Sequence, residues 1–165
     1  MQTRKSTISG LLIAVLLPII GGGIVGFITS RDVSSWYPTL QKPAWNPPNW
    51  IFGPAWTILY GLMGLASWLI WRKKGEQEEQ VRSALRWYAL QLGLNLAWSV
   101  IFFGLRHLGL ALLEIVLLWA AILATIVKFA RIDRLAAGLM IPYQLWVTFA
   151  VALNAAVWWL NRNQS

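Results

Sequence analysis

The first long apolar stretch of the chain, residues 8–29, reads ISGLLIAVLLPIIGGGIVGFIT and lies in a charge-free interval between Lys5 and Arg31. Because about 20 apolar residues suffice for a helix to cross a bilayer core of roughly 30 Å, this stretch predicts a membrane-spanning helix. A secretory signal peptide has a shorter apolar region, of about 7–15 residues, and a small-residue cleavage site, which does not follow here. We therefore expect the helix to be retained.

Charge-poor intervals of similar length recur along the rest of the chain. They predict four more helices, at 51–71, 86–105, 108–129 and 135–160, and none of these intervals is long enough for two crossings. The composition agrees, because 58% of the 165 residues are hydrophobic and only 12% are charged, about half the charged share of soluble domains. We expect an all-α membrane protein, a five-transmembrane-helix bundle that forms a single domain over residues 1–165.

The net charge of +8 indicates membrane topology and not nucleic-acid binding, because the basic residues lie between the apolar runs. With five crossings, ten of the fourteen basic residues fall on the side of the amino terminus; the other four are Arg31, Lys42, Arg106 and Arg162. The positive-inside rule then predicts a multi-pass protein with a cytoplasmic amino terminus, if it resides in an inner membrane.

Several kinds of chemistry are excluded by the residue types that the chain lacks. With no cysteine, it has no disulfide, thiolate metal ligand or cysteine nucleophile. Its one histidine, His107, lies in a short turn between two predicted helices, where we expect it to fill the turn and not to bind haem iron. We find no acid–base pair, nucleophile or metal cluster, so we expect no metal site and no required cofactor, and a binding protein more readily than an enzyme.

The connection at residues 31–50 differs from the others because it is rich in proline and aromatic residues. Its prolines are Pro38, Pro43, Pro47 and Pro48, and its aromatic residues are Trp36, Tyr37, Trp45 and Trp50. Proline removes backbone donors and restricts the preceding residue, which predicts turns and polyproline II in place of a regular helix. Such a segment forms either an interfacial aromatic belt or a lid over the mouth of the bundle.

The third predicted helix has two different faces. Gln91, Asn95 and Ser99 recur every four residues and form a polar stripe. The small residues Ala89, Gly93 and Ala97 form a second stripe, offset by about 200° around the helix. Polar side chains inside a membrane need partners or a cavity, so we expect the polar face to point into the bundle. The small face then predicts either a homodimer interface or close packing within one bundle.

Aromatic and polar residues also share faces on the other predicted helices. The fifth helix aligns Tyr143, Trp146, Ala150 and Asn154, and the second aligns Trp56 and Tyr60. Counting depth from the loop at 31–50 places Trp56, Trp98, Ser99, Glu114, Ala150 and Asn154 in the half of the membrane nearest to it. This predicts an aromatic pocket that the loop closes. Glu114 either pairs with Arg106 or a polar group of the third helix, or contacts a ligand or a proton.

Four blocks of sequence together resemble a known family. They are WYPTLQKPAWNPP at 36–48, WxxxYG at 56–61, LNxxWSxxFF at 94–103 and PYxxWxxFAxxLN at 142–154. In this order and spacing they are similar to the TspO/MBR family, also called the translocator-protein or peripheral benzodiazepine receptor family. The resemblance covers residues 36 to about 159.

The resemblance implies a five-helix bundle that binds tetrapyrroles, such as protoporphyrin IX and haem, and small hydrophobic drugs between its helices. It assigns Trp56 and Trp146 to the porphyrin pocket, Tyr37 to the lid, and Asn95, Ser99 and Ala150 to the walls. Together with the pattern above, the predicted ligand-binding residues are Tyr37, Trp45, Trp56, Tyr60, Asn95, Trp98, Ser99, Glu114, Trp146, Ala150 and Asn154. Cations within reach of porphyrin propionates are Arg31, Lys42 and Arg106.

Three functions remain open from the sequence. The first is a tetrapyrrole-binding receptor or transport protein in stress-related porphyrin handling. The second is light-dependent porphyrin degradation, which would make Trp56 and Trp146 catalytic, and the third is a membrane scaffold or regulator. Sterol binding is not expected through the animal motif, which requires a tyrosine before a basic residue, because Ala155 stands there on the way to Arg162.

Overall fold

The computed structural model describes residues 4–162, with side chains described from residue 8, so both ends of the predicted 1–165 domain lie outside the described residues. The described chain forms five long helices. They are α1 (Arg4–Ser35), α2 (Phe52–Trp71), α3 (Glu78–Ser99), α4 (Leu108–Ala130) and α5 (Arg134–Asn161). A five-residue π-helical segment, Val100–Gly104, extends α3.

Neighbouring helices in space are not always neighbours in sequence. α4 packs extensively against both α3 and α5, α2 packs against α1 and α5, and α1 makes few contacts with α3. The order around the bundle is therefore α1, α2, α5, α4, α3, and the seam between α1 and α3 is the least densely packed. The main core lies among α2, α3, α4 and α5, where Met63, Ile122, Met140 and Tyr143 are fully buried.

Four helical segments are long and apolar enough to cross a membrane: Ile8–Thr39, Asn49–Trp71, Leu108–Ala130 and Arg134–Asn161. α3 is more polar, because Glu78, Glu79, Arg82 and Arg86 lie in its first turns and Gln91 and Asn95 follow. It nevertheless packs into the same bundle, so the fold has the five helices that the sequence predicts.

α3 extends beyond the predicted span of 86–105, because the helix begins eight residues earlier at Glu78. Acidic residues in a first turn complement the positive end of the helix dipole, and Glu78 and Glu79 occupy that turn. Arg82 Nη2 also lies 3.0 Å from Glu78 Oε1, one turn away. These charges extend the helix into solvent and shorten the α2–α3 connection to residues 72–77.

The first helix is likewise longer than predicted, because it continues to Ser35. The hydroxyl groups of Ser30, Ser34 and Ser35 donate to carbonyl oxygens of the preceding turn. The non-helical part of the proline-rich connection is thus shorter than 31–50, and it contains two short 3₁₀ turns, Tyr37–Thr39 and Asn49–Ile51. The predicted break from regular helix is confirmed within these narrower limits.

Two side chains define the starts of α4 and α5. His107 Nδ1 accepts a hydrogen bond of 3.0 Å from the backbone N–H of Leu110, so the imidazole caps α4 as expected of a residue that fills the turn. Asp133 Oδ1 accepts from the N–H groups of Leu135 and Ala136 and caps α5. Arg106 precedes the first of these caps with a φ of 54°, which reverses the chain between α3 and α4.

α1 and α2 approach closely because glycine stands at their contact. A Cβ atom on Gly64 of α2 would overlap the backbone of α1 at Ala14. A Cβ atom on Gly22 of α1 would overlap the ring of Tyr60 in α2. Small residues let membrane helices come within backbone contact, and here they fix where α1 lies against the bundle.

Candidate ligand-binding cavity

A cavity of about 510 Å³ lies inside the bundle, which is within the usual range for small-molecule sites. All five helices contribute to its lining, but α4 contributes only Ile115 and Leu118. Tyr37 and Asn49 of the connection between α1 and α2 also line it. The cavity therefore lies at the end of the bundle that the proline-rich connection covers.

Aromatic rings form one continuous wall of the cavity. The ring of Trp56 stacks on Tyr60, with centroids 5.5 Å apart, and meets Trp146 edge to face at 6.4 Å. Trp146 in turn contacts Phe52 at 6.0 Å and Phe149 at 5.9 Å. These contacts hold several large apolar rings against the cavity, which suits a flat aromatic ligand.

A chain of buried hydrogen bonds ties the helices around the cavity together. The hydroxyl of Tyr60 donates to Asn95 Oδ1 at 2.7 Å, and Asn95 Nδ2 donates to the hydroxyl oxygen of Tyr143 at 2.9 Å. The Tyr143 hydroxyl then donates to Gln91 Oε1 at 2.9 Å. α2, α3 and α5 are thereby joined through buried side chains.

The tryptophan of α3 has its own hydrogen-bond partner. Trp98 Nε1 donates to Asn154 Oδ1 at 3.0 Å, and Asn154 Nδ2 donates to the carbonyl oxygen of Leu108 at 3.1 Å. This satisfies a deep indole N–H group and joins α3, α5 and the start of α4 beside the cavity. The indole of Trp119 is satisfied separately, by Thr148 Oγ1 at 2.8 Å.

The connection between α1 and α2 is fixed over the cavity by a small set of polar contacts. Tyr37, which is buried, donates from its hydroxyl to Asn46 Oδ1 at 2.9 Å. Lys42 Nζ donates to the carbonyl oxygen of Tyr37 at 2.7 Å, and partial desolvation lowers the pKa of Lys42 from its usual value. Asn161 of α5 forms reciprocal hydrogen bonds with the backbone of Gln41. The connection thus covers one end of the cavity and is bonded to α5, and we refer to it as the lid.

Comparison with known proteins agrees with this architecture. The model of the TspO/MBR family matches residues 14–160, which is most of the chain. The chain belongs to the TspO/MBR family. It is accordingly an integral membrane protein, in line with its apolar helices.

Individual members of the TspO/MBR family match over most of their own length. The chain is 42% identical to the translocator protein of Sus scrofa over 156 residues, covering 90% of this chain and 92% of that one. It is 39% identical to the tryptophan-rich protein TspO of Archaeoglobus fulgidus, covering 91% and 96%. It is also 43% identical to the protein CrtK of Rhodobacter capsulatus, covering 84% and 85%.

Nine of the eleven residues predicted to bind a ligand line the cavity. They are Tyr37, Trp56, Tyr60, Asn95, Trp98, Ser99, Trp146, Ala150 and Asn154. Trp45 lies outside the lining, half exposed, with its ring edge against Phe149 at 5.8 Å. The roles of these eleven residues in ligand binding stay predictions. The polar stripe of α3 and the aromatic faces of α2 and α5 nevertheless meet around one cavity.

Glu114 is not a lining residue, although its neighbour Ile115 is. Its side chain is buried, and neither carboxylate oxygen has a hydrogen-bond partner among the described residues. The alternative that pairs it with Arg106 is wrong, because the guanidinium of Arg106 binds Asp32, with Nη2 at 2.6 Å from Oδ1. The turn at Arg106 directs that side chain to the end of α1 and not to α4.

Sequence reasoning missed the contribution of α1 to the cavity. Gly22, Gly23, Gly26 and Thr29 all line it. The available signal was the run of three glycines at 21–23 followed by Gly26, which leaves room between the larger lining residues Ile19, Val25 and Val33 of the same helix. A cavity needs such a side, because larger side chains would fill it.

Charge is absent from the lining that the structure describes, which holds only apolar, aromatic, hydroxyl and amide side chains. No cluster of three or more potential metal ligands occurs within residues 8–162. Of the predicted cations, Arg106 is engaged by Asp32, and Lys42 by backbone carbonyl groups of the lid. The cavity therefore offers stacking, apolar contact and a few amide and hydroxyl groups.

The small-residue face of α3 points away from the cavity. Ala89 and Gly93 are exposed, and a Cβ atom on Gly93 would meet no atom within 4 Å. Gln91 and Asn95, on the other face, are buried. The predicted opposition of the two faces thus holds, which leaves the small face accessible for packing against another membrane helix.

Proposed function

We propose that this protein is an integral membrane receptor or transport protein that binds tetrapyrroles, such as protoporphyrin IX or haem, in the cavity beneath its lid. The observation that carries the proposal is the 510 Å³ cavity walled by Trp56, Tyr60, Trp146 and Phe52. A tetrapyrrole is a broad, flat, largely apolar plate, and rings along one wall give it stacking and edge contacts. Binding of this kind requires no cofactor, because the porphyrin is itself the ligand.

The polar groups of the lining support the same ligand class. Asn95 and Asn154 hold the aromatic residues Tyr60 and Trp98 in place, and the hydroxyl of Ser99 lines the cavity beside them. Because the described lining carries no charge, the propionate groups of a porphyrin would lie beyond it, at the lid end of the bundle, where Arg106 and Lys42 are located. This arrangement leaves the apolar macrocycle in the cavity and the carboxylates near water.

Quenching of tryptophan fluorescence by protoporphyrin IX tests the proposal on the full-length protein in detergent. We expect saturable quenching at micromolar porphyrin. Ala150→Leu places three further carbon atoms in the cavity and should weaken binding by about tenfold or more. The control, Ala152→Leu, makes the same change on the same helix at an exposed position outside the lining, and should leave the affinity unchanged.

Two results would contradict the proposal. One is quenching that rises linearly with porphyrin and never saturates, since that indicates only partitioning into the detergent. The other is an equal effect of the two alanine substitutions, since that would place the porphyrin on the lipid-facing surface.

A second function, light-dependent porphyrin degradation by dioxygen, is favoured by the contact between Trp56 and Trp146 on the cavity wall. Two indoles beside a photoexcited porphyrin could take part in its oxidation. Illumination of the complex should then bleach the pigment faster than illumination in protein-free detergent. The rate should fall to the detergent value in the Trp56→Phe, Trp146→Phe double variant, provided that the variant still binds porphyrin.

We further propose that all five helices cross the membrane and that, in an inner membrane, the amino terminus lies in the cytoplasm, since that places ten basic residues inside. The side chains of Arg4 and Lys5, which belong to this count, lie outside the described ones. A reporter fused to the carboxyl terminus distinguishes the two orientations, because five crossings place the two ends of the chain on opposite sides. Activity of a periplasm-dependent reporter supports the proposal, and activity of a cytoplasm-dependent one contradicts it.

The exposed small-residue face of α3 supports a homodimer in which two copies of Ala89, Gly93 and Ala97 meet. Replacing Gly93 and Ala97 by leucine should then reduce the mass of the detergent-solubilised protein to that of a monomer. The same two substitutions would leave the mass unchanged if the face packs only against lipid.

A further inference from the structure

A shallow groove runs along the outer surface of α4, away from the cavity and on the side of the α4–α5 turn. Its apolar lining consists of Trp119, Ala120, Leu123, Ala124 and Val127. These residues follow the spacing of one helical face, and its two alanines leave a depression between larger side chains. The groove has a volume of about 360 Å³ and is open to its surroundings along its length.

Two cations close one end of this groove. Lys128 and Arg131 complete its lining, at the end where α4 leaves the apolar part of the bundle. Lys128 Nζ donates to Ser83 Oγ of α3 at 3.0 Å, which holds the ammonium group beside the groove. An ammonium group has three donors, so this bond leaves two for an anion. Asp133, the nearest acid in sequence, is used to cap α5.

The opposite end of the groove is also fixed in position. The indole N–H of Trp119 donates to Thr148 Oγ1 of α5 at 2.8 Å, so its ring is a stationary wall. From Trp119 to Arg131 the helix rises about 18 Å, at roughly 1.5 Å per residue. This length is close to half of a bilayer core of about 30 Å, which is the depth of a single leaflet. The groove therefore has about the length of a single leaflet, with its charged end at the α4–α5 turn.

We propose that this groove is a binding site for one anionic phospholipid of the leaflet that surrounds the α4–α5 turn. One acyl chain lies along Ala120 and Ala124, and the phosphate group of the lipid meets Lys128 and Arg131. Charge and polarity select this occupant: an apolar channel of one leaflet's depth with two cations at its surface end matches an anionic amphiphile. A second copy of the chain would bring two further cations to the same end and would be repelled there.

Native mass spectrometry of the full-length protein with added phosphatidylglycerol or phosphatidylcholine tests this site. We expect one phosphatidylglycerol to be retained about tenfold more tightly than phosphatidylcholine, because each basic residue near a membrane surface contributes to anionic-lipid affinity. Lys128→Gln with Arg131→Gln should remove that preference. Ala124→Phe fills the depression, keeps both cations and should remove the bound lipid of either kind.

Matched variants distinguish a specific site from non-specific attraction between basic residues and anionic lipids. Lys73→Gln with Lys74→Gln removes two cations in the α2–α3 turn, at the same membrane face, and should preserve the lipid preference. Leu113→Phe enlarges an exposed residue of α4 outside the groove and should also preserve it. Arg131→Gln alone leaves the Lys128–Ser83 bond intact and should give a partial loss, which guards against misfolding of the double variant.

Three outcomes would overturn the proposal. The first is that the Lys73→Gln, Lys74→Gln variant loses the preference for phosphatidylglycerol as fully as the Lys128→Gln, Arg131→Gln variant does. The second is that Ala124→Phe still retains the lipid. The third is that Ala124→Phe halves the mass of the protein, which would make the groove an interface between two copies of the chain.

Discussion

The two sides of the cavity are held in place in different ways. On the side of α2, α3 and α5, hydrogen bonds between side chains run from Tyr60 through Asn95 and Tyr143 to Gln91. On the side of α1, three of the seven lining residues are glycine. The helix is positioned by backbone contact with α2 at Gly64 and by the Asp32–Arg106 pair near its end. One wall is fixed by a network of buried hydrogen bonds, and the other mainly by the close fit of two backbones.

This difference indicates which side of the cavity yields more easily. A buried hydrogen-bond network has discrete partners and resists small displacements, because each broken bond leaves a polar group unsatisfied in an apolar medium. When two helices separate at a glycine contact, no polar group loses a hydrogen bond, so the separation lacks this free-energy cost. Since α1 also makes few contacts with α3, we expect α1 to be the wall that moves when a ligand enters.

The largest effect is expected from Gly64→Ala. The added methyl group would overlap the α1 backbone at Ala14, which cannot move without displacing the whole helix. We expect a loss of about 3 kcal/mol or more of stability, the upper part of the range for overpacking, and a much lower melting temperature in detergent. Gly61→Ala is the control, because a Cβ atom there meets nothing within 4 Å. Equal melting temperatures would show that α1 is not held by this contact.

Gly22→Ala should have the next largest effect. Its methyl group would overlap the ring of Tyr60, which is restrained by its hydrogen bond to Asn95. We expect destabilisation of about 1–3 kcal/mol, measured by thermal denaturation. Gly23→Ala, at the next position, meets nothing within 4 Å and should be neutral or slightly stabilising. If both variants melt alike, the two walls do not meet at Tyr60 as described.

Tyr143→Phe removes the hydroxyl that joins Asn95 to Gln91. We expect a loss of about 1 kcal/mol, since hydrogen bonds between membrane helices average roughly 0.6 kcal/mol and reach about 1.7. The control is Thr57→Val, which removes an exposed hydroxyl group that donates to a carbonyl oxygen of its own helix. We expect it to change the stability less. No difference between the two would mean that the hydrogen-bonded wall is fixed by packing alone.

The smallest effect is expected from Asp32→Asn. The pair is partly exposed, with 20% of the Asp32 side chain and 53% of the Arg106 side chain accessible, so its loss should destabilise the protein by under about 1 kcal/mol. Hydrogen exchange at the carboxyl end of α1 should nevertheless increase, because the α1–α3 seam is otherwise sparsely packed. Glu78→Gln breaks a more exposed pair within one helix and serves as the control. A loss as large as that of Gly22→Ala would show that charge, and not glycine packing, positions α1.

Much of the fold follows from hydropathy, since the ends of α2, α4 and α5 lie close to the predicted ones. The start of α3 does not, because a charged segment can continue a helix into solvent without any apolar signal. The environment of Glu114 was only partly predicted: its carboxyl group is buried without a hydrogen-bond partner among the described residues, and Arg106, one of its possible partners, binds Asp32 instead. Whether Arg106 pairs with Asp32 or with Glu114 depends on the backbone path of the turn at residues 106–107, which sequence spacing does not specify.

The sequence by itself determined the membrane class, the five helices, the opposite faces of α3 and most of the aromatic residues that line the cavity. These properties depend on local periodicity and on the free energy of placing each residue in lipid. Only the tertiary structure decided that Tyr60, Asn95, Tyr143 and Gln91 form one chain of hydrogen bonds, and that α1 supplies a cavity wall in which glycines leave space. Hydrogen-bond partners and close backbone contacts depend on the relative rotation and depth of separate helices, which hydrophobicity constrains only weakly.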